Sequence, residues 1–214
     1  NVLGHRLDRI SERNRWTRDF TLNSLTHALR EVIAGFRVYR SYVQPGHMTQ
    51  SDREHIDSAV NDAKRRNPIV DDSLFEFVRD VLLLQFPTHA DEAERRQIEQ
   101  FVGKFQQLTG PIMAKAVEDT TFYRFNRLVS LNEVGGDPVR FGVTLAAYHD
   151  FNQSRLPWFA QAMNATSTHD TKRSEDVRAR INVLSEVPTE WRKRIQAWAR
   201  WNRRLKTTVN GVEA

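Results

Sequence analysis

The stretch DDSLFEFVRDVLL, residues 71–83, contains the most deeply buried helix that the sequence predicts. Asp71 and its neighbours carry oxygens that can accept hydrogen bonds from the free amides at the start of a helix. The apolar residues that follow recur at helical spacing: Leu74, Phe75, Phe77, Val78, Val81 and Leu82. An apolar face of this width predicts a helix that packs into a core.

Helices are also predicted on both sides of this stretch. One covers residues 21–34, with Thr21 as its N-cap, and ends at Gly35. Another follows Ser51-Asp52-Arg53-Glu54, a capping box in which the Ser hydroxyl and the Glu carboxylate each satisfy an amide of the first turn. A third begins in ADEAERRQIEQ, residues 90–100, and is expected to end at Gly110-Pro111. Together with the helix of residues 71–83, the last two of these indicate a helical subdomain.

The C-terminal half of the chain also has helical periodicity. Residues 111–131 are helical in pattern but unusually polar, and a loop at residues 135–138 follows them. The last helix is predicted to start at Thr189, directly after Pro188. Its apolar stripe is formed by Trp191, Ile195, Trp198, Trp201 and Leu205. This spacing predicts that the tryptophans belong to a core.

Two segments are predicted as short strands. Residues 36–43, FRVYRSYV, are β-branched and aromatic, and Pro45-Gly46 follows them as a turn. Residues 165–168 form the second candidate. A lone strand leaves its backbone groups unpaired, so its partner strands must lie elsewhere in the chain or be missing from it. Unpaired strand edges make self-association between copies a further expectation.

Composition limits the possible chemistry. The chain contains no cysteine, which excludes disulfides, a thiolate nucleophile and cysteine-ligated metals and fits a cytoplasmic location. The longest apolar run, residues 81–84, is far shorter than the ~20 residues of a membrane span, so no membrane association is expected. The N-terminus has neither an initiator Met nor the layout of a signal peptide, so we expect a piece of a longer protein.

Several kinds of site are disfavoured by the pattern. The chain has no G-x-S-x-G elbow and no glycine-rich nucleotide motif, and no cofactor is expected. His169-Asp170 could ligate a metal, but the other histidines show no i, i+4 pairing, so we expect no metal site. The same dipeptide recurs at His149-Asp150, where an exposed helix surface is the simpler interpretation.

The main alternative function is a non-catalytic, basic helical module that binds nucleic acid or another protein. The formal net charge is +5, and basic clusters occur at residues 64–66 and, near two tryptophans, at residues 203–204. Lys and Arg alternate with Asp and Glu almost everywhere, however, which is typical of solvated helix surfaces. We therefore expect no nucleic-acid partner.

The side chains that a carbohydrate site needs occur in two segments. Such a site combines carboxylates, cationic hydrogen-bond donors and aromatic rings. The segments are KAVEDTTFYRFNR, residues 115–127, and THDTKRSED, residues 168–176. The candidate site residues are Lys115, Glu118, Asp119, Tyr123, Arg124, His169, Asp170, Lys172 and Arg173. The alternative for the first segment is a solvated helix with Glu118 and Arg124 in ion pairs, and residues 174–181 have the pattern of an ordinary salt-bridged helix.

Three long motifs resemble the maltooligosyltrehalose synthase family of the α-amylase superfamily. They are RLDRISERNRWTRDFTLNSL (residues 6–25), FQQLTGPIMAKAVEDTTFYRFNRLVSLNEVGGDP (105–138) and ATSTHDTKRSEDVRARINVLSEVP (165–188), in the order of the family. The resemblance implies a (β/α)8-barrel enzyme that acts on a maltooligosaccharide, its expected partner. Such an enzyme converts the reducing-end α-1,4 linkage into the α,α-1,1 linkage of trehalose.

The resemblance also implies residue roles and domain boundaries. Asp170 would be the carboxylate that stabilises the transition state of a retaining mechanism, and His169 a donor to the same sugar. The nucleophile and the acid are expected outside this chain, so the chain alone is expected to be inactive. The expected fold is mainly α: a helical insertion subdomain at residues 46–157, with two short strands and a helix of the barrel in residues 1–45 and 158–214. Residues 36–43 would be the sixth barrel strand and residues 165–170 the seventh.

Overall fold

The computed structural model describes residues 2–88, 90–209 and 211–213, and most of them lie in helices. The chain divides into an N-terminal unit that ends at Val117 and a C-terminal unit that begins at Glu118. The mainly helical class is confirmed, whereas membership of a barrel and the division at residues 45 and 157 stay predictions. Among the described residues, no helix combines the length and the apolar content that crossing a bilayer requires.

Five helices build the N-terminal unit: α1 (Val2–Ser11), α2 (Leu22–Gly35), α3 (Gln50–Arg66), α4 (Asp72–Leu82) and α5 (Glu92–Met113). Helix α2 packs against α1, α3 and α4, and α5 packs against α1 and α4. The core between them includes the fully buried Leu25, Val32, Ile56, Phe75, Phe101 and Phe105. Helix α4 contains the predicted buried stretch, so that prediction is confirmed.

The helix starts show how far local sequence determines the structure. Thr21 caps α2 by accepting a hydrogen bond from the Ser24 amide at 3.1 Å, as the sequence predicts. The capping box of α3 was placed wrongly, because it is formed by Thr49 and Asp52. Both T-x-x-D and S-x-x-E fit the pattern here. A tertiary contact favours the first, since the Asp52 carboxylate also accepts from the Tyr42 amide at 2.7 Å.

The predicted end of α5 at Gly110-Pro111 is also wrong. The helix runs through Pro111 to Met113 and continues as a π-helix over Ala114–Thr121. Proline removes one N–H donor from the helical ladder, which weakens a helix without always ending it. A π-helical segment can accommodate this missing hydrogen bond, and π-helical segments often occur near functional sites.

The strand predicted at residues 36–43 is not formed. The segment is extended but irregular, and only an isolated bridge between Gln44 and His47 follows it. Side chains replace the missing partner strand: Gln106 Oε1 accepts from the Val43 amide at 2.7 Å, and Gln106 Nε2 donates to the Val43 carbonyl at 3.2 Å. Because no described strand lies alongside, the buried backbone groups find an amide side chain instead.

The C-terminal unit contains short helices joined by long loops. They are α6 (Phe122–Arg124), a 3₁₀ turn (Val129–Leu131), α7 (Leu145–Phe159), α8 (Glu175–Asn182), a 3₁₀ turn (Val183–Ser185), α9 (Pro188–Trp201) and a 3₁₀ turn (Arg203–Leu205). An antiparallel pair, β1 (Thr208–Val209) and β2 (Val212–Glu213), follows them, with Thr208 opposite Glu213. The strand predicted at residues 165–168 is wrong, because this segment is irregular and leads into a turn.

Helix α9 begins at Pro188, one residue before the predicted start at Thr189, and the burial of its tryptophans was predicted wrongly. The exposed fractions of Trp198 and Trp201 are 42% and 68%, and α9 has no buried residue. Among the described residues of the C-terminal unit, the buried side chains are Glu118, Phe122, Ser130 and Asn132. Helical spacing predicts an apolar face but not a neighbour that covers it.

Candidate functional site

The two segments predicted to bind carbohydrate contact each other within the C-terminal unit. Lys172 Nζ lies 3.0 Å from Asp119 Oδ1, which joins the loop before α8 to the π-helix. The hydrogen bond to Asp119 raises the pKa of Lys172, and the charges of Asp119, Glu118 and Tyr123 add to this effect. The Lys172 ammonium is therefore a firmly charged donor with carboxylates and a phenol close by, the groups that can bind sugar hydroxyls.

Buried polar groups fix the backbone around this cluster. Glu118 is 8% exposed on the π-helix. Asn132, which is 1% exposed, donates from Nδ2 to the carbonyl of Phe122 at 2.8 Å and to that of Phe125 at 2.7 Å. These bonds hold both sides of Tyr123, whose own side chain is 65% exposed and accessible to a ligand.

The loop of residues 166–173 carries His169 and Asp170 at its tip. The tip is a turn in which the Thr171 hydroxyl donates to the Thr168 carbonyl at 2.8 Å. The side chains of His169 and Asp170 are 100% and 79% exposed, and His169 Nδ1 lies 3.1 Å from Asp170 Oδ1. Both groups are therefore open to an incoming ligand.

Glu133 and Arg178 hold the base of this loop, and neither residue was predicted as a site residue from the sequence. Glu133 Oε1 accepts from the Lys172 amide at 2.5 Å, and Glu133 Oε2 accepts from Arg178 Nη1 at 3.1 Å. Burial would raise the pKa of Glu133, but the hydrogen bonds to its carboxylate, those from Lys172 and Arg178 among them, together outweigh burial, and the pKa lies below its ordinary value. Each side chain is 20% exposed, so solvent screens the ion pair only in part.

A glycine pair supports the position of Glu133. Gly135 has φ +73°, a conformation that glycine adopts without strain. A Cβ on Gly136 would lie 2.9 Å from the Glu133 carbonyl oxygen and 3.0 Å from that of Leu131. The loop predicted at residues 135–138 is confirmed, and its glycines permit a turn directly after Glu133.

Four of the predicted residues make no contact with the Lys172–Asp119 pair among the described hydrogen bonds and ion pairs: Arg124, His169, Asp170 and Arg173. His169 and Asp170 form no hydrogen bond with either member of that pair, and Arg173 Nη1 donates to the Val129 carbonyl at 3.3 Å. Lys115 lies on the π-helix but in the N-terminal unit. Arg124 is exposed and makes no ion pair with any described residue. The ion pairing considered for Arg124 is therefore not seen in the described part of the chain.

A cavity of about 520 Å³ lies elsewhere, in the N-terminal unit. Its walls include the rings of Trp16, Phe20, Phe77 and Phe86. None of the site residues predicted from the sequence lines it, so the candidate site is defined by its side-chain chemistry rather than by the size of a cavity.

Known proteins share both sequence and fold with this chain. No family model matches it. Two curated proteins from strains of Mycobacterium tuberculosis, each named "Putative maltooligosyl trehalose synthase", are 59% identical over 90 residues, which is 42% of this chain and 12% of theirs. The chain therefore spans about an eighth of the length of these relatives.

Solved structures extend the similarity over most of the chain. Maltooligosyltrehalose synthase from Arthrobacter ramosus matches with a TM-score of 0.66 and 38% identity over 90% of this chain and 22% of its own. A hypothetical maltooligosyl trehalose synthase from Sulfolobus tokodaii matches with a TM-score of 0.59 and 28% identity over 92% of this chain and 25% of its own. By sequence and by fold, this chain is therefore related to one part of the longer maltooligosyl trehalose synthases.

Proposed function

We propose that this chain is part of a glucosylmutase that converts the reducing-end α-1,4 linkage of a maltooligosaccharide into an α,α-1,1 linkage. One observation carries the proposal. The Lys172–Asp119 contact at 3.0 Å brings together the two segments whose residue types suit a sugar site, in a chain related to maltooligosyl trehalose synthases. The first segment therefore contributes to the cluster through Asp119.

In this proposal Asp170 stabilises the positive charge that develops on the sugar ring, and His169 donates a hydrogen bond to the same sugar. Retaining glycosyl transfer needs a carboxylate nucleophile and an acid besides this group, and both would lie outside the chain. The exposed tip of the 166–173 loop supports the roles of the pair, because a transition-state-stabilising group must be accessible to the substrate.

The Lys172–Asp119 cluster would bind the glucose unit that is released and reoriented during isomerisation. Lys172 can donate to ring hydroxyls, Asp119 can accept from them, and the exposed Tyr123 ring can cover an apolar sugar face. Holding that glucose while excluding water matters, because a glycosyl-enzyme that is open to water is hydrolysed.

Substitution of Asp170 tests the proposal in a full-length synthase that carries this segment. Asp170→Asn should abolish formation of trehalosyl product from maltopentaose while leaving maltopentaose binding largely intact, as expected for a group that acts in the transition state. The matched control is Asp150→Asn, which changes the second His-Asp dipeptide on the exposed surface of α7 and should retain activity. A near-normal rate for Asp170→Asn would refute the role.

The chain by itself should form no trehalosyl product. Loss of proton transfer alone lowers the rate by roughly 10²–10⁴-fold. Product formed from maltopentaose by the purified 214-residue chain would contradict this expectation.

One observation favours the alternative of a nucleic-acid-binding module. Trp198 and Trp201 are exposed beside the basic Arg203 and Arg204, whereas the sequence predicts them in a core. Exposed rings next to guanidinium groups can stack bases and hold phosphates. Added salt separates the two functions, because affinity for single-stranded nucleic acid would fall steeply while affinity for maltopentaose would hardly change.

A further inference from the structure

No described residue outside the loop bonds to the tip that carries His169 and Asp170. The two side chains bond to each other, and both are open to solvent. Both residues lie inside the turn of Thr168 to Thr171, and the described hydrogen bonds of these two threonines join them to each other. The position of the Asp170 carboxylate must therefore be determined at the base of the loop.

One guanidinium group closes that base. Arg178, on α8, donates from Nη2 to the Thr166 carbonyl and from Nη1 to the Arg173 carbonyl at 3.2 Å. These carbonyls belong to the first and the last residue of the 166–173 loop. A second contact ties the loop to the same helix, because the Glu175 amide donates to Ser167 Oγ at 3.0 Å.

Glu133 holds the guanidinium group and the loop at once. Its two carboxylate oxygens accept separately, one from Arg178 Nη1 at 3.1 Å and the other from the Lys172 amide at 2.5 Å. Glu133, Arg178 and the loop ends thus form one hydrogen-bonded network, although Glu133 and Arg178 are 45 residues apart in sequence. The network leaves the tip free and fixes both of its ends.

We propose that Arg178, held by Glu133, is a positioning residue that sets the place of the His169-Asp170 pair by clamping both ends of the 166–173 loop. Arginine suits this role because its planar fork presents five N–H donors in fixed directions. A lysine at the same position keeps the charge but offers a single ammonium that cannot span two carbonyls and a carboxylate. The catalytic consequence of the clamp rests on the function proposed above.

The test compares Arg178→Lys with Arg180→Lys in a full-length synthase that carries this segment. Both changes keep the charge and lie on α8, but Arg180 is exposed and takes no part in the network. Arg178→Lys should lower kcat for maltopentaose by about 10- to 100-fold, because a shift of ~1 Å in a reacting group costs on this scale. The KM should change by less than about threefold, since the effect falls on the transition state.

Two further variants separate positioning from general stability. Glu133→Gln keeps an oxygen for the Lys172 amide and loses the charge, so its kcat should lie between those of the two lysine variants. Arg178→Ala should regain part of its kcat in millimolar guanidinium chloride, because a free guanidinium can occupy the emptied place. A loss of kcat that follows the loss of folded protein by circular dichroism, with no rescue, would show a structural role only and overturn the proposal.

Equal kcat values for Arg178→Lys and Arg180→Lys would also overturn it, while leaving the proposed function intact. If the parent enzyme forms no trehalosyl product, the proposed function fails instead. The clamp is then decided by amide NMR spectra of the 214-residue chain. Arg178→Lys should shift or broaden the resonances of residues 166–173 and Arg180→Lys should not, and identical spectra for the two variants would refute the clamp.

Discussion

The N-terminal and C-terminal units both have apolar residues at helical spacing in their sequences. They bury these side chains to very different extents. Every member of the apolar core cluster lies in the N-terminal unit, where α4 alone buries five side chains. In the C-terminal unit α7, α8 and α9 bury none. The C-terminal unit relies instead on polar contacts, such as Glu133–Arg178 and Lys172–Asp119. Core packing therefore stabilises one unit, and hydrogen-bonded clamps organise the other.

Core truncation should show the difference most strongly. Phe101→Ala empties a fully buried position and should lower the unfolding free energy of the N-terminal unit by about 3–5 kcal/mol. Trp198→Ala, at a side chain that is 42% exposed, should cost less than about 1 kcal/mol. Urea unfolding with hydrogen exchange read separately for peptides of each unit measures both values. Similar losses would show that α9 packs as tightly as α5.

Removal of a buried amide should have the next largest effect. Gln106→Leu leaves the Val43 amide and carbonyl buried without a partner, which should destabilise the N-terminal unit by about 2–3 kcal/mol. Asn132→Leu removes a similar bridge to the Phe122 and Phe125 carbonyls in the C-terminal unit. It should speed hydrogen exchange near residues 122–125 and leave the urea midpoint of the N-terminal unit unchanged. A shift of that midpoint by Asn132→Leu would contradict the contrast.

Removal of a helix cap should also affect the two units differently, but with smaller losses of unfolding free energy. Thr49→Ala should cost about 1 kcal/mol in the N-terminal unit, because it removes the cap of α3. Ser51→Ala tests the position that the sequence favours and should cost less than about 0.5 kcal/mol. Thr144→Ala removes the cap of α7, which buries no residue, so it should fray that helix without changing the urea midpoint. A larger loss for Ser51→Ala than for Thr49→Ala would restore the original prediction.

Acid should loosen the clamp of the C-terminal unit by a small amount. The folded-state pKa of Glu133 lies below its ordinary value of 4.5. The ionised carboxylate therefore stabilises the loop above that pH, and this contribution is lost as the pH falls through the folded-state pKa. The chemical shift of the Lys172 amide should change over this pH range. The same chemical shift should not change in Glu133→Gln. The pKa of Asp52 in the N-terminal unit is lowered from 3.8, so the Tyr42 amide should respond as the pH falls below that value.

Local patterns explain which fold predictions are confirmed. Helices α2 and α4 combine a capping residue with a continuous apolar face, and both form where the pattern places them. The strand at residues 36–43 was predicted wrongly because β-propensity describes a half-buried extended segment and not its partner. That partner is Gln106, 63 residues away from Val43.

The same distinction applies to the site. Residue types alone indicated that Asp119 and Lys172 suit a sugar site, and the structure places them in contact. Arg178 was missed because RSEDVRAR, residues 173–180, has the charge pattern of any solvated helix. Glu133 was missed although it lies in the family-like motif of residues 105–138. The only available signal was the Gly135-Gly136 pair, which marks a backbone that turns sharply after Glu133.

The sequence by itself determined the helical class, the buried face of α4, and the residue types and motifs that connect this chain to maltooligosyl trehalose synthases. These features depend on periodicity and on side-chain chemistry, which are properties of neighbouring residues. The tertiary structure alone decided which apolar faces are covered, which of two capping patterns is used, and that Arg178 closes the loop of His169 and Asp170. These outcomes depend on burial and on tertiary contacts such as Glu133–Arg178, 45 residues apart in sequence, whose geometry no local pattern contains.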